Sequence, residues 1–355
     1  MDAFYASVEL ARRPELKGRP IIVGGRGDPA RSRGVVTTCS YEARTFGVRS
    51  GMPLRTAVAR CPEAVFLPTD FDEYRRVSGL FKRAVQALAP VMEDRGIDEV
   101  YLDLTEVAGI EVDAGAAVAR EIKHAVFEST GLSCSIGIAP NKLLAKLASE
   151  LEKPDGLTVL GMGDLERRIW PLPVVKVNGI GPRAAQRLAA LQIHTVGDLA
   201  RTTRDELLAQ FGSHYGAWLH EIAFGRDERA VVTESEPRSR SSETTFARDL
   251  DPHRERAEIE RVLAELSARV AGDLARRGYR GRTIGLKLRF ADFSTVTRDA
   301  TVEQPTADAA RILAVVHTCL ARIELRRRIR LLGVRVSALS RADELPPARV
   351  PDLFG

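Results

Sequence analysis

Two adjacent carboxylates stand at the head of an apolar alternation in Gly96-Ile97-Asp98-Glu99-Val100-Tyr101-Leu102-Asp103. An alternating strand packs one face into a core, and paired acids at its start are expensive there unless water or a cation reaches them. The segment therefore belongs at a sheet edge open to solvent or to a charged ligand. On these residues alone two readings stand. One is a divalent-cation site of oxygen ligands, suited to Mg²⁺, which takes one or two carboxylates plus substrate phosphates. The other is an exposed hairpin with ordinary surface acids.

The surrounding periodicity supplies the frame. Residues 18–67 are rich in Gly, Pro and Arg, with short apolar runs at Pro20–Gly24 and Gly34–Thr38 that predict strands in a small, turn-rich lobe. Helical spacing over Asp70–Leu88 is followed by an alternating strand at Gly96–Leu104, a helix at Ala114–Glu128 and a strand at Ser133–Ile138. Asn141–Glu152 reads as a helix ending at Pro154-Asp155-Gly156, with a strand at Leu157–Leu160. Strands alternating with crossover helices predict an α/β sheet domain. Residues 164–229 carry helical patterns with little strand signal, and Glu234–Ser242 has the composition of a tether. Beyond it the order is strand (Thr244–Phe246 with the preceding Ser-rich stretch), helix (Arg254–Arg277), two strands (Thr283–Phe290, Thr295–Thr301), helix (Ala307–Arg322) and strand (Ile329–Ser337), a split βαβ, ferredoxin-like plan.

At 355 residues the chain suits several domains, and no apolar run approaches the roughly 20 residues of a membrane span. The start shows no basic segment leading into an apolar one, and Cys39, Cys61, Cys134 and Cys319 are scattered without C-x-x-C spacing. A reduced, cytoplasmic protein without structural zinc is expected. The net charge of +5 is unevenly spread: residues 238–341 hold 22 Lys and Arg against 13 Asp and Glu. Such a late basic segment suits a domain that grips a phosphate backbone, with a solvated basic domain without a ligand as the lesser alternative.

Four blocks narrow the choice: Met1-Asp2-Ala3-Phe4-Tyr5-Ala6-Ser7-Val8-Glu9; Ser40-Tyr41-Glu42-Ala43-Arg44 with Phe46-Gly47-Val48-Arg49-Ser50-Gly51-Met52-Pro53; the Asp98-Glu99 block; and Gly137–Ser149 continuing to Lys153-Pro154-Asp155-Gly156. In this order and spacing they resemble the core of the Y family of lesion-bypassing DNA polymerases, particularly its bacterial branch, over nearly the whole chain. The resemblance implies an α+β, multidomain, right-hand polymerase. Its parts would be palm at 1–10 and 67–162, ferredoxin-like; small fingers at 11–66; a helical thumb with a helix-hairpin-helix at 163–230; a linker at 231–239; a ferredoxin-like little finger at 240–341; and a flexible tail at 342–355. Asp98 would ligate both of two catalytic Mg²⁺ ions and Glu99 would assist the one that activates the primer 3′-hydroxyl. Tyr41, Arg44 and Lys153 would contact the incoming dNTP, and Tyr5 would be the steric gate against a ribose 2′-hydroxyl. Taken singly, Arg44 and Lys153 read as solvated surface residues and Tyr5 as core packing.

The departures carry expectations too. The family places another aspartate, the third metal ligand, immediately before this Met-Asp block, so here it would fall ahead of Met1; Asp2 matches a non-ligand aspartate. A misassigned start is the expectation, with a catalytically impaired DNA-binding scaffold as the alternative. Gly96 replaces the usual serine, and Val100 a small alanine. Val177-Asn178-Gly179-Ile180-Gly181-Pro182 is similar to a helix-hairpin-helix turn, with Gly179 and Gly181 near a duplex phosphate; a plain helical turn with a glycine C-cap is the other reading. Arg282, Arg289, Arg298, Arg330 and Arg335 are candidate DNA contacts. The tail ends in Asp352-Leu353-Phe354, which partly matches a sliding-clamp peptide without its leading glutamine, so Leu353 and Phe354 would enter the clamp or the tail would have no partner. A nucleotide cyclase, which also uses paired acids on such a palm, is disfavoured because it needs no duplex grip. Primer-template DNA, dNTPs and a monomer complete the expectation.

Overall fold

In the computed structural model, residues 1–343 are described except Arg26 and 109–111, and at 108 and 112–114 the backbone alone. The tail with Leu353 and Phe354 lies outside the described residues. The chain divides into two compact units, Met1–Glu234 and Ser235–Gly355.

The first unit opens with α1 (Phe4–Arg12), whose buried face is Phe4, Ala6, Val8 and Glu9. The lobe that follows is a three-stranded sheet, with β1 (Ile21–Val23) antiparallel to β2 (Thr38–Cys39) and parallel to β3 (Val65–Leu67). Two short helices, α2 (Tyr41–Thr45) and α3 (Leu54–Arg60), close it over Ile22, Val36, Cys39, Ala43, Val48, Leu54, Ala57 and Cys61. The strand expected over Gly34–Thr38 is confined to Thr38–Cys39; Val35 makes only an isolated bridge to Pro53. A Cβ on Gly24 would lie 2.5 Å from the Val35 carbonyl oxygen, so the two segments approach too closely there for a side chain between them.

Helix α4 (Phe71–Leu88) begins where Asp70 accepts the Glu73 N–H, a side-chain N-cap, and it buries Tyr74, Val77, Phe81 and Val85 at helical spacing. Next comes an antiparallel pair, β4 (Met92–Asp94) and β5 (Val100–Leu102), in the register Met92↔Leu102, Glu93↔Tyr101, Asp94↔Val100. The strand expected from Gly96 therefore starts only at Val100. Residues 95–99 form the connecting loop, with Gly96 at φ +141°, Asp94 accepting the Gly96 N–H at 3.0 Å and Arg95 N–H reaching the Glu99 carbonyl at 3.1 Å. The short helix α5 (Thr105–Ala108) leads to α6 (Val112–Thr130). A parallel pair follows, β6 (Ile136–Ile138) and β7 (Leu157–Val159), joined by the crossover α7 (Lys142–Leu151), which Asn141 caps through the Leu144 N–H. The next stretch is helical, as expected: α8 (Pro182–Ala190), α9 (Val196–Arg201), α10 (Arg204–Phe211) and α11 (Ser213–Ala223). Capping boxes at Thr195/Asp198 and Thr203/Glu206 start two of them. Leu188, Leu199, Leu207 and Leu219 fill the core they share with α7.

The second unit runs β8 (Ser239–Leu250), α12 (Arg256–Arg276), β9 (Tyr279–Phe290), β10 (Thr295–Thr306), α13 (Ala309–Ala321) and β11 (Ile329–Arg341). The sheet is antiparallel, ordered β10-β9-β11-β8, so each βαβ crossover spans one intervening strand. Ile284, Leu286 and Leu288 pair in register with Val336, Val334 and Leu332, and all pack into one core with α12 and α13. The polar stretch through Ser242 is a tether only as far as Arg238. Ser239–Ser242 pair with β11 as an edge strand, where one polar edge can face water.

Candidate active site

Asp98, Glu99, Lys146 and Lys153 line one cavity of about 760 Å³, whose apolar wall includes Phe81, Val100, Leu102, Ile122 and Ile136. The acids sit in the loop ahead of β5. Burial pushes the Asp98 carboxyl above the usual carboxylate range, partly offset by the positive charges of the amino terminus, Lys153 and Lys146, while Glu99 pushes it further up. Met1 stands at the same place, its backbone nitrogen donating to the Asp98 carbonyl oxygen at 2.7 Å.

A chain of alternating charge ties Glu99 to α7. Lys146 Nζ donates to Glu99 Oε1 at 2.5 Å and to Glu150 Oε1 at 3.1 Å, and Lys153 Nζ reaches the same Glu150 oxygen at 2.6 Å. Burial would lower the Lys146 pKa, but the Glu99 hydrogen bond and the two carboxylate charges outweigh it, and the net shift is upward. Lys146 lies within the Gly137–Ser149 block and Glu150 just beyond it, and neither was given a role from the sequence. Their spacing of four on one helix face was the signal.

Tyr5 stacks on Tyr74 with ring centroids 4.3 Å apart, and Phe71 meets both rings edge-on at 6.0 Å. Tyr74 is fully buried and its hydroxyl donates to the buried Glu9 at 2.8 Å, so the platform under Tyr5 is fixed from below. Burial, then the Asp98 charge, raises the Tyr5 pKa, which puts the ring within electrostatic reach of the acids. On α2, the Arg44 guanidinium lies 4.6 Å from the centroid of the Tyr41 ring. The Tyr41 hydroxyl is buried and makes no well-formed hydrogen bond among the described residues, with the Arg44 guanidinium as a polar neighbour. Burial, and next the charge of Asp2, raises its pKa. A guanidinium can only donate, so the Tyr41 hydroxyl keeps its own proton available for a ligand oxygen.

The remaining candidates fall in other places. Gly179 takes φ +107° between a short 3₁₀ turn and α8, and a Cβ there would meet the Trp218 ring at 2.6 Å. Gly181 is the N-cap of α8, where no side chain caps the first N–H groups. In the second unit, Arg289 pairs in register with Leu331 and Thr295, and Arg335 with Gly285, on the sheet face opposite the helices. Lys287, which sequence reasoning passed over, shares that face and is bound to Glu243 at 2.7 Å. Arg298 instead pairs with the core residue Leu286 and so belongs to the helix side of an edge strand. Arg282 reaches the Val302 carbonyl at 3.4 Å, and Arg330 lies over Phe293 at 4.5 Å.

Residues 1–150 match the impB/mucB/samB family, 237–346 its C-terminal domain, and 172–225 the helix-hairpin-helix motif of DNA polymerase eta and Rev1. A DNA polymerase IV of Alkalilimnicola ehrlichii is 43% identical over 340 residues, covering 96% of this chain and 93% of the relative. Another from Xanthomonas campestris is 42% identical, covering 100% and 96%. The chain belongs to the Y family of DNA polymerases. Among solved structures, a Y-family DNA polymerase chimera is similar with a TM-score of 0.83 at 26% identity, covering 95% of this chain and 96% of that one. An insertion ternary complex of the Dbh DNA polymerase matches with a TM-score of 0.68 at the same identity and coverage. This Y-family member is thus a DNA-directed DNA polymerase of the translesion type, and the alternative of a catalytically impaired scaffold finds no support among its relatives. Among the described residues no helix is long and apolar enough to cross a membrane.

Proposed function

We propose that this Y-family polymerase adds dNTPs to a primer 3′-hydroxyl by two-metal catalysis at Asp98 and Glu99, copying damaged as well as intact templates. The observation that carries the reading is the cavity holding both acids together with Lys146 and Lys153. Among the described residues no group of three or more potential protein ligands gathers. Two hard carboxylate donors beside two lysines nevertheless fit Mg²⁺, which draws its other ligands from substrate phosphates and water. Bound there, Mg²⁺ ions would lower the pKa of the primer hydroxyl and neutralise the triphosphate and leaving pyrophosphate.

The chain's own residues account for the rest. Burial raises the Asp98 pKa and so disfavours its charged form, and a cation arriving there would favour that form again. Lys153 and Arg44 supply a point charge and a planar fork for phosphate oxygens, and the Tyr41 hydroxyl adds a donor. Tyr5, braced by Tyr74, would block a ribose 2′-hydroxyl. The hairpin at Gly179 and Gly181 would hold a duplex phosphate with backbone N–H groups at the start of α8. Arg289, Arg335 and Lys287 share one face of the second unit, where Arg335 is paired with Asp299 at 3.1 Å and Lys287 with Glu243, so duplex phosphates would compete with these acids, and Arg282, Arg298 and Arg330 add to its general basic character. The domain limits at 10, 66, 162, 230, 239 and 341, action as a monomer in the cytoplasm, and clamp docking through Leu353 and Phe354 belong to the same proposal. Extension of a labelled primer on a defined template tests it: Mg²⁺-dependent, template-directed addition that Asp98→Asn abolishes is the expected result.

A further inference from the structure

The turn after α7 is held from two sides, and neither anchor belongs to the site as described so far. Asp2 is a carboxylate only 2% exposed, a placement that is costly unless donors satisfy it. Three do: the Asp155 backbone N–H at 2.9 Å, Ser135 Oγ at 2.7 Å and Ser133 Oγ at 3.1 Å. Ser135 Oγ in turn accepts the Gly156 N–H at 3.2 Å. From α6, Lys123 Nζ donates to the Asp155 carbonyl at 2.8 Å, to its carboxylate at 2.5 Å and to the Cys134 carbonyl at 2.6 Å. Asp155 itself sits at φ +59°, a sparsely populated conformation for a residue with a Cβ, which persists where the surroundings over-determine it.

Asp155 is two residues from Lys153, whose side chain enters the cleft beside Asp98. Asp2 is three residues from Tyr5, and its carbonyl accepts Ser7 Oγ of α1 at 2.6 Å. One buried carboxylate thus joins the segment bearing Tyr5 to the turn bearing Lys153, over 153 positions of sequence. We infer that Asp2 and Lys123 are positioning residues for nucleotide binding: together they fix the Lys153–Gly156 turn so that the Lys153 ammonium meets the triphosphate while Tyr5 meets its sugar. This rests on the reading of Lys153 as a triphosphate contact. A lysine bound only to Glu150 would be restrained at its tip, whereas the anchors restrain its backbone, which sets where the tip can go.

Single-nucleotide insertion on saturating primer-template, with dNTP concentration varied, tests the inference in the full chain. Lys153→Ala raises the KM for dNTP. Asp2→Ala and Lys123→Met raise it by roughly tenfold or more, because a small misplacement of a positioned group costs that much. Primer-template affinity and the Mg²⁺ dependence stay unchanged. Asp2→Asn keeps a near-native KM, since its amide oxygen still accepts the Asp155 N–H. In the Lys153→Ala background Asp2→Ala adds nothing further. Should Asp2→Ala fail to give a native melting transition, Lys123→Met and Ser135→Ala carry the same comparison. An unchanged KM in the anchor variants, or an equal added loss when Lys153 is already alanine, overturns the positioning role and leaves Lys153 as a contact. An unchanged KM in Lys153→Ala removes the reading on which the inference stands.

Discussion

Lys146 Nζ lies 2.5 Å from Glu99 Oε1, so the second acid of the site is already neutralised by a lysine of α7. A cation arriving at Glu99 competes with that ammonium for the same oxygen. Lys146→Met should therefore tighten the apparent Mg²⁺ requirement for primer extension by roughly three- to tenfold. That matches the modest worth of a pair whose side chains are 20% and 47% exposed. A Mg²⁺ titration of the extension rate checks it, the half-saturating Mg²⁺ concentration falling in the variant; an unchanged or higher concentration means that the pair does not oppose the metal.

Asp98 has the opposite electrostatic history. Its raised pKa means that the folded state binds the proton more tightly than the unfolded one. The fold therefore loses stability as pH rises from the ordinary carboxylate pKa through the raised one. At neutral pH without Mg²⁺, Asp98→Asn should leave Tm unchanged or raise it, even as it removes activity. The acidic limb of the wild-type extension rate should lie above the ordinary carboxylate range and move down as Mg²⁺ is added. A clear drop in Tm for Asp98→Asn would show that its charge stabilises the fold.

The two acids, the strand that follows and the capped helices were legible from local patterns, because alternation and capping are short-range signals. The start of β5 was not. Asp98 and Glu99 stand at the head of the apolar alternation on paper, but the Asp94–Gly96 hydrogen bond and the Lys82–Asp94 ion pair at 2.7 Å make 95–99 a loop. The placement of Asp2 was equally hidden. Its partners Ser133, Ser135 and Asp155 are more than 130 positions away, a separation that no periodicity encodes. The polar residues Ser239–Ser242 read both as the end of a tether and as the start of the first strand, because Ser and Arg lack strand propensity; pairing with β11 makes them strand.

Tyr5 rests on Tyr74 at 4.3 Å between centroids, with its platform pinned by Glu9. Tyr5→Ala should raise ribonucleotide incorporation relative to deoxynucleotide by roughly ten- to a hundredfold, the range over which a pocket discriminates one hydroxyl by shape. Competing insertion of rNTP and dNTP opposite one template base measures it. An unaltered ratio would return Tyr5 to simple packing.

Gly179 combines φ +107° with a Trp218 ring atom 2.6 Å from where a Cβ would stand. Gly179→Ala should destabilise the first unit by roughly 1–3 kcal/mol and weaken duplex binding, both read by denaturant unfolding and primer-template titration. A neutral substitution would mean that the turn relaxes freely.

The site's geometry also allows it to be extended by design. Because the Met1 nitrogen is 2.7 Å from the Asp98 carbonyl, a residue joined ahead of Met1 is delivered beside the acids. A short added segment ending in aspartate should increase Mg²⁺-dependent extension, and the same segment ending in alanine should not.

The central claim is that Asp98 and Glu99 hold the metal ions of template-directed DNA synthesis. Extension of a labelled primer with Mg²⁺ and the four dNTPs, run for the chain beginning at Met1, for the extended chain and for Asp98→Asn in each, tests it most directly. The account predicts additions that follow the template and fall by at least about a hundredfold with Asp98→Asn, the scale of losing several kcal/mol of charge stabilisation. Extension that persists unchanged without the Asp98 carboxylate would contradict it.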